Sequence, residues 1–98
     1  MNMRELQKMQ QKLMKMQEDL ENTMFTGTAG GGAVTISMSG KFEISEVRID
    51  PEAFLPEDIA ELEVMIKAAA KDAFDKATSA QQKLVNNATG GMKIPGLF

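Results

Sequence analysis

The sequence predicts an α+β domain, and three observations carry that reading. Apolar residues recur at steps of three and four over residues 6–20 and again over 59–84. Between those stretches they alternate with polar residues, over 34–38. A glycine run, Gly30-Gly31-Gly32, separates the first regime from the second. The two periods are those of an amphipathic helix and a half-buried strand. The expected order is an N-terminal helix, a small three-stranded antiparallel sheet, a short helical turn and a long C-terminal helix.

The first helix is expected over residues 3–24. Leu6, Leu13 and Leu20 fall seven apart, with Met9 and Met16 three after the first two leucines. This is the spacing of a packed seam, and the intervening Gln, Lys, Glu and Met are good helix formers. Three heptads are too few for a long coiled coil, so the seam points to a neighbouring helix.

From Thr26 the stretch TGTAGGGA cannot continue the helix, because glycine is costly there. Val34, Ile36 and Met38 then give a strand with one apolar face, and Ser39-Gly40 signals a turn. Beyond it, Phe42 and Ile44 have one parity while Val47 and Ile49 have the other. Two readings remain open: a bulge near Ser45-Glu46 that brings all four to one face, or a Phe42 that belongs to the turn. A short strand around residues 23–28 completes the meander.

Asp50-Pro51 closes the sheet, PEAFL forms a single turn, and Pro56-Glu57-Asp58 opens the second helix with acids at its positive end. Ile59, Leu62, Ile66, Ala69, Ala73, Ala77, Ala80 and Leu84 lie within an arc of about 80°. Alanine fills the middle of that stripe, which lets another backbone come close. Asn86-Asn87 and Gly90-Gly91 end the helix. At about 45 Å the helix outruns so small a sheet, so part of it must project or pair with another chain. The chain thus reads as a single domain over 1–98, with a helical arm at 1–24, a β-meander at 25–50, helices at 51–89 and a tail at 90–98. That tail, GMKIPGLF after Gly90, is expected to be extended and apolar, either mobile or docked on a partner.

A 98-residue chain has a modest core, which favours self-association. Nine methionines and no Trp or Tyr make that core aliphatic and adaptable. Cysteine and histidine are absent, which removes disulfides, thiolate nucleophiles, the commonest zinc ligands and the usual base at neutral pH. No signal peptide or membrane span is recognisable, so the expected compartment is the cytoplasm. Gly40-Lys41-Phe42 lacks the Ser or Thr of a phosphate loop, and the glycine run precedes a strand where a phosphate cradle must open a helix. Glu57, Asp58, Glu61 and Glu63 decorate an exposed helix start, with no concave pocket to hold a catalytic carboxylate pair. No enzyme, cofactor, metal or small-molecule substrate is expected.

The net charge is −3, yet its distribution is uneven. Residues 1–17 sum to +3, residues 43–63 to −7, and residues 64–98 to +3. Fields near a surface follow such local sums. Within the first segment Arg4, Lys8, Lys12 and Lys15 share one helical face and form a cationic row about 16 Å long. Like charges at i,i+4 cost an isolated helix about 0.2–0.5 kcal/mol per pair. Folding alone gives little reason for such neighbours, while a row of cations suits a nucleic-acid backbone. The bland alternative is a solvated face beside an apolar seam. Lys76 and Lys83, two turns apart on the second helix, are candidates for the other half of such a row.

A helix, a glycine-broken meander, VRIDP, ELEVMIKAAAKDAFDKA and a closing GGMKIPG, in that order, resemble the YbaB/EbfC family of bacterial nucleoid-associated proteins. The likeness runs along essentially the whole chain. It implies a tweezer-like homodimer joined mainly through its sheets, which binds double-stranded DNA through helical arms with weak sequence preference. On this chain those arms carry Arg4, Lys8, Lys12 and Lys15, together with Lys76 and Lys83. The implied setting is the nucleoid, with effects on its organisation or on gene expression. This chain departs from a simple basic arm, since Glu18, Asp19 and Glu21 end its first helix. The competing reading is a dimeric protein–protein interaction module in which the lysines are only solvated.

Overall fold

The computed structural model describes residues 2–88. Helix α1 (Met3–Glu21) leads into strands β1 (Met24–Ala29), β2 (Val34–Ser39) and β3 (Ile44–Ile49), then a single 3-10 turn (Pro56–Asp58) and helix α2 (Ile59–Ala88). The sheet is an antiparallel meander in the order β1-β2-β3. The α+β architecture is the expected one, and its element boundaries differ in detail. The expected tail at 90–98 lies outside the described residues.

α1 stops three residues short of its expected end. The Thr23 hydroxyl donates to the Asp19 carbonyl at 2.7 Å, and the Asn22 amide to that of Glu18 at 3.2 Å. These short polar residues satisfy the last carbonyls, and Met24 is already paired with Ser39 in the sheet. Between β1 and β2 the three glycines all take positive φ, at 64°, 67° and 96°. That is backbone an L side chain rarely adopts.

The two readings of β3 prove to be complementary. Ser37 pairs with Glu46 but Met38 pairs with Ile44, so Ser45 is the extra residue of a bulge. Ile44, Val47 and Ile49 therefore lie opposite Met38, Ile36 and Val34 on one face. Phe42 stays in the turn, at φ 65°, with its ring 5.1 Å from that of Phe74 on α2.

β2 and the alanines of α2 make the core. Val34 and Ile36 are buried with Ala69, and Leu62, Met65, Ile66 and Phe54 pack around them, while Met38, Ala73 and Ala77 are also buried. The small side chains of α2 are needed because β1 passes directly beneath. A Cβ on Gly27 would lie 2.1 Å from the Ala69 carbonyl oxygen and 2.4 Å from the Ala73 nitrogen. The alanine stripe thus admits the backbone of β1, a neighbour within the same chain. Ile59, placed in that stripe by its spacing, is instead 61% exposed, because it precedes the part of α2 that reaches the sheet.

α2 covers β1 and β2 but leaves β3 open. Ile44, Val47 and Ile49 remain 40–54% exposed although their partners on β2 are buried. Phe42 and Phe74 extend the same uncovered region.

Candidate nucleic-acid interface

α1 begins where the Asn2 side chain accepts the Glu5 amide hydrogen at 2.8 Å, an N-cap that satisfies one otherwise unpaired donor. None of its residues is buried. Its attachment is short and lies at its far end. A Cβ on Gly40 would sit 2.0 Å from the Leu20 carbonyl oxygen, so only glycine lets α1 rest on the sheet there. Gln81 Nε2 of α2 donates to the Gly40 carbonyl at 2.8 Å. Both helices therefore pass the same point, α1 arriving and α2 leaving, and they run antiparallel. Met9, Lys12, Leu13 and Met16 meet Asn87 around a cleft of about 260 Å³. α2 is described as far as Ala88, so among the described residues the first two turns of α1 have no helix beside them and form an arm.

Arg4, Lys8, Lys12 and Lys15 are all exposed on that arm. Among the described residues none of them has a carboxylate within ion-pair distance. Asp19, four residues past Lys15, falls on the same helical face and ends the positive field there. The usable row is the distal one.

The α2 lysines are arranged differently. Lys76 Nζ donates to the Thr26 carbonyl at 2.7 Å and lies 3.4 Å from the Asp72 carboxylate. Asp72 Oδ2 in turn accepts the Thr28 amide hydrogen at 3.1 Å. Together the pair satisfies two outward-facing backbone groups of β1, an edge strand. Lys76 is thus engaged with the sheet, whereas Lys83 stands clear beside Phe25, Ser79 and Ala80 along a shallow groove. Lys71 is paired with Asp75 at 2.8 Å, and that carboxylate raises the lysine pKa. The sequence contains the i,i+4 spacing of Asp72 and Lys76, but nothing in it announces that a strand edge lies within their reach.

The Thr28 amide, and after it the Lys76 ammonium, hold Asp72 below its ordinary value of 3.8, against the opposing pull of partial desolvation. A lowered folded-state pKa means that the ionised form favours the fold. Its contribution is full above about 3.8 and is lost as pH falls from there through the depressed folded value. Asp72→Asn should therefore cost stability near neutrality, and the difference from wild type should shrink in acid. Urea melts of both proteins at pH 7 and pH 3 check this. A difference that stays constant across the two would mean that the carboxylate charge does not matter.

Among the described residues no cluster of acidic side chains could hold a metal ion, and no helix is long and apolar enough to cross a membrane. Relatives share this whole chain. A nucleoid-associated protein of Pelotomaculum thermopropionicum is 45% identical over 98% of this chain and 91% of its own length. Another, from Dictyoglomus turgidum, is 43% identical over 98% and 93%. The crystal structure of an uncharacterized protein from Helicobacter pylori superposes with a TM-score of 0.74, at 24% identity over 92% of this chain and 99% of that one, which shows a common fold. Residues 1–92 match the sequence model of the YbaB/EbfC DNA-binding family. With that match and relatives this similar end to end, the chain belongs to the YbaB/EbfC DNA-binding family.

Proposed function

We propose that the protein is a nucleoid-associated protein that binds double-stranded DNA as a homodimer, gripping phosphates with its basic arms. The observation that carries this reading is the row Arg4, Lys8, Lys12 and Lys15, exposed and without an ion-pair partner among the described residues, on a helix that buries none of its residues. Such a row neutralises phosphates without reading base edges, so it gives affinity with little sequence preference. Lys83 supplements it from α2, and Lys76 contributes less because its ammonium already serves Thr26 and Asp72. The family is a DNA-binding family and not an enzyme family, and the relatives' names place them at the nucleoid. On this reading the protein works in the cytoplasm, on the nucleoid, and influences its organisation or gene expression.

The homodimer is supported by the uncovered face of β3. Ile44, Val47 and Ile49, with Phe42 and Phe74, leave an apolar surface open among the described residues, and small domains commonly cover such a surface by association. The same surface would serve the competing reading, an interaction module without DNA. Titrating two duplexes of unrelated sequence over a range of salt separates the two. Similar affinities that fall steeply with salt are expected. No binding at low salt, or binding indifferent to salt, would remove the DNA reading.

A further inference from the structure

α1 presents more than its lysines. Met3, Leu6 and Met14 share one side of the helix and are 78%, 48% and 72% exposed, beside the cationic row. A second uncovered surface has the opposite charge. Residues 49–66 contain six acidic residues and no basic one. Glu52, Glu57, Glu61 and Glu63 are exposed and have no ion-pair partner among the described residues. Leu55, Ile59 and Val64, interleaved with them, are 61–67% exposed. The two surfaces lie far apart. Ile59 starts α2, while Asn87, near its other end, sits beside Met9 and Met16 of α1. About 40 Å of helix separates Ile59 from Asn87, and the arm runs on in the direction away from Ile59. One copy, 65 Å long, cannot bring its own two surfaces together.

We propose that the open face of the α1 arm docks on the acidic start of α2 in a second copy of this chain. Charge complementarity selects this occupant: residues 1–17 sum to +3 and residues 43–63 to −7. Both surfaces are apolar as well as charged. Placing Met3, Leu6 and Met14 against Leu55, Ile59 and Val64 removes from water side chains that the described residues leave open. Two different patches meet, so the contact is head-to-tail, and it lies away from the open face of β3. Exposed ion pairs are worth little each and are screened by salt. The contact is therefore weak, salt-sensitive and readily exchanged. It engages the lysines assigned above to phosphates, so DNA displaces it and frees the arm. That displacement rests on the DNA reading; the docking does not.

Ala60 is exposed between Glu57 and Glu63, and the chain has no cysteine, so Ala60→Cys gives one attachment point for a nitroxide. Labelled, isotope-free chain is mixed with unlabelled, isotope-enriched chain, without DNA. At about 0.01 M salt, where the Debye length is about 30 Å, the amide resonances of Leu6, Lys8 and Lys12 should lose most of their intensity, while those of Val34 and Ile36 stay sharp. At about 1 M salt, where that length is about 3 Å, the arm signals should return. They should also return at low salt when the enriched chain carries Lys8→Gln, Lys12→Gln and Lys15→Gln. Replacing Glu57, Glu61 and Glu63 by Gln in the labelled chain should restore them equally. Arm signals untouched at low salt would overturn the proposal. Broadening that persists at high salt, or survives either set of Gln substitutions, would overturn it too, because the contact would not be the ionic one described. Broadening spread evenly over the chain would do the same by showing unspecific encounters.

Discussion

Gly27→Ala is expected to cost more than about 3 kcal/mol, beyond the usual range for one added methyl in a packed interior. The sign is informative, because elsewhere this exchange commonly stabilises by about 0.4–1 kcal/mol through the unfolded state. Here the new Cβ would meet backbone atoms of α2, the Ala69 oxygen at 2.1 Å and the Ala73 nitrogen at 2.4 Å. Backbone inside a helix cannot swing aside as a long side chain can. The helix must lift from β1, which opens the core that Ala69 forms with Val34 and Ile36 and exposes the buried Ala73 and Ala77. Small domains have a total stability near the low end of about 5–15 kcal/mol. The variant should therefore be largely unfolded in moderate urea where wild type is folded. A melt within about 1 kcal/mol of wild type would show that α2 does not press on β1 as described.

The other large effect is on binding. Changing Lys8, Lys12 and Lys15 together to Gln should leave the fold intact, since the three are exposed, lack ion-pair partners among the described residues, and repel one another. DNA affinity should fall by the same factor on every duplex, because phosphates carry no sequence information. If each lysine neutralises one phosphate, a homodimer makes six such contacts. The slope of log K against log salt then becomes shallower by up to about 5 units, at roughly 0.9 per contact. An unchanged slope in a well-folded triple variant would return the row to a solvated face. Lys76→Gln should behave differently, costing stability more than affinity, because its ammonium holds the Thr26 carbonyl.

Much of this architecture is legible because local signals agree. The alternation of Val34, Ile36 and Met38 and the alanine stripe each name the face that is buried, and those faces meet. The parity break across β3 showed that something happens near Ser45, and pairing to β2 located the bulge there. Three features stayed hidden because they depend on what comes close in space. Gly27 falls in the expected first strand, but the need for glycine there shows only when α2 is laid across it. Lys76 looks like a free cation until Thr26 and Asp72 are found around it. Ile59 fits the helical stripe by angle, and only the reach of the sheet shows that the stripe starts later. The basic row is legible because charge and helical spacing are both local properties.

The clamp of Asp72 and Lys76 on β1 has a consequence for how many copies can join. A three-stranded sheet has two borders, and each is a template for further strands. On the β1 side, Thr28 N–H and Thr26 C=O are already answered by side chains of the same chain. No such side chain crosses β3 among the described contacts, and all six of its residues are exposed. A sheet that can grow from one border only cannot build a filament. Two copies that met border to border through β3 would each present a sealed outer strand, so growth would terminate at a closed pair. In such a pair the two charged residues one helical turn apart would block strand addition at Thr26 and Thr28, and swapping them for small neutral residues would reopen that border.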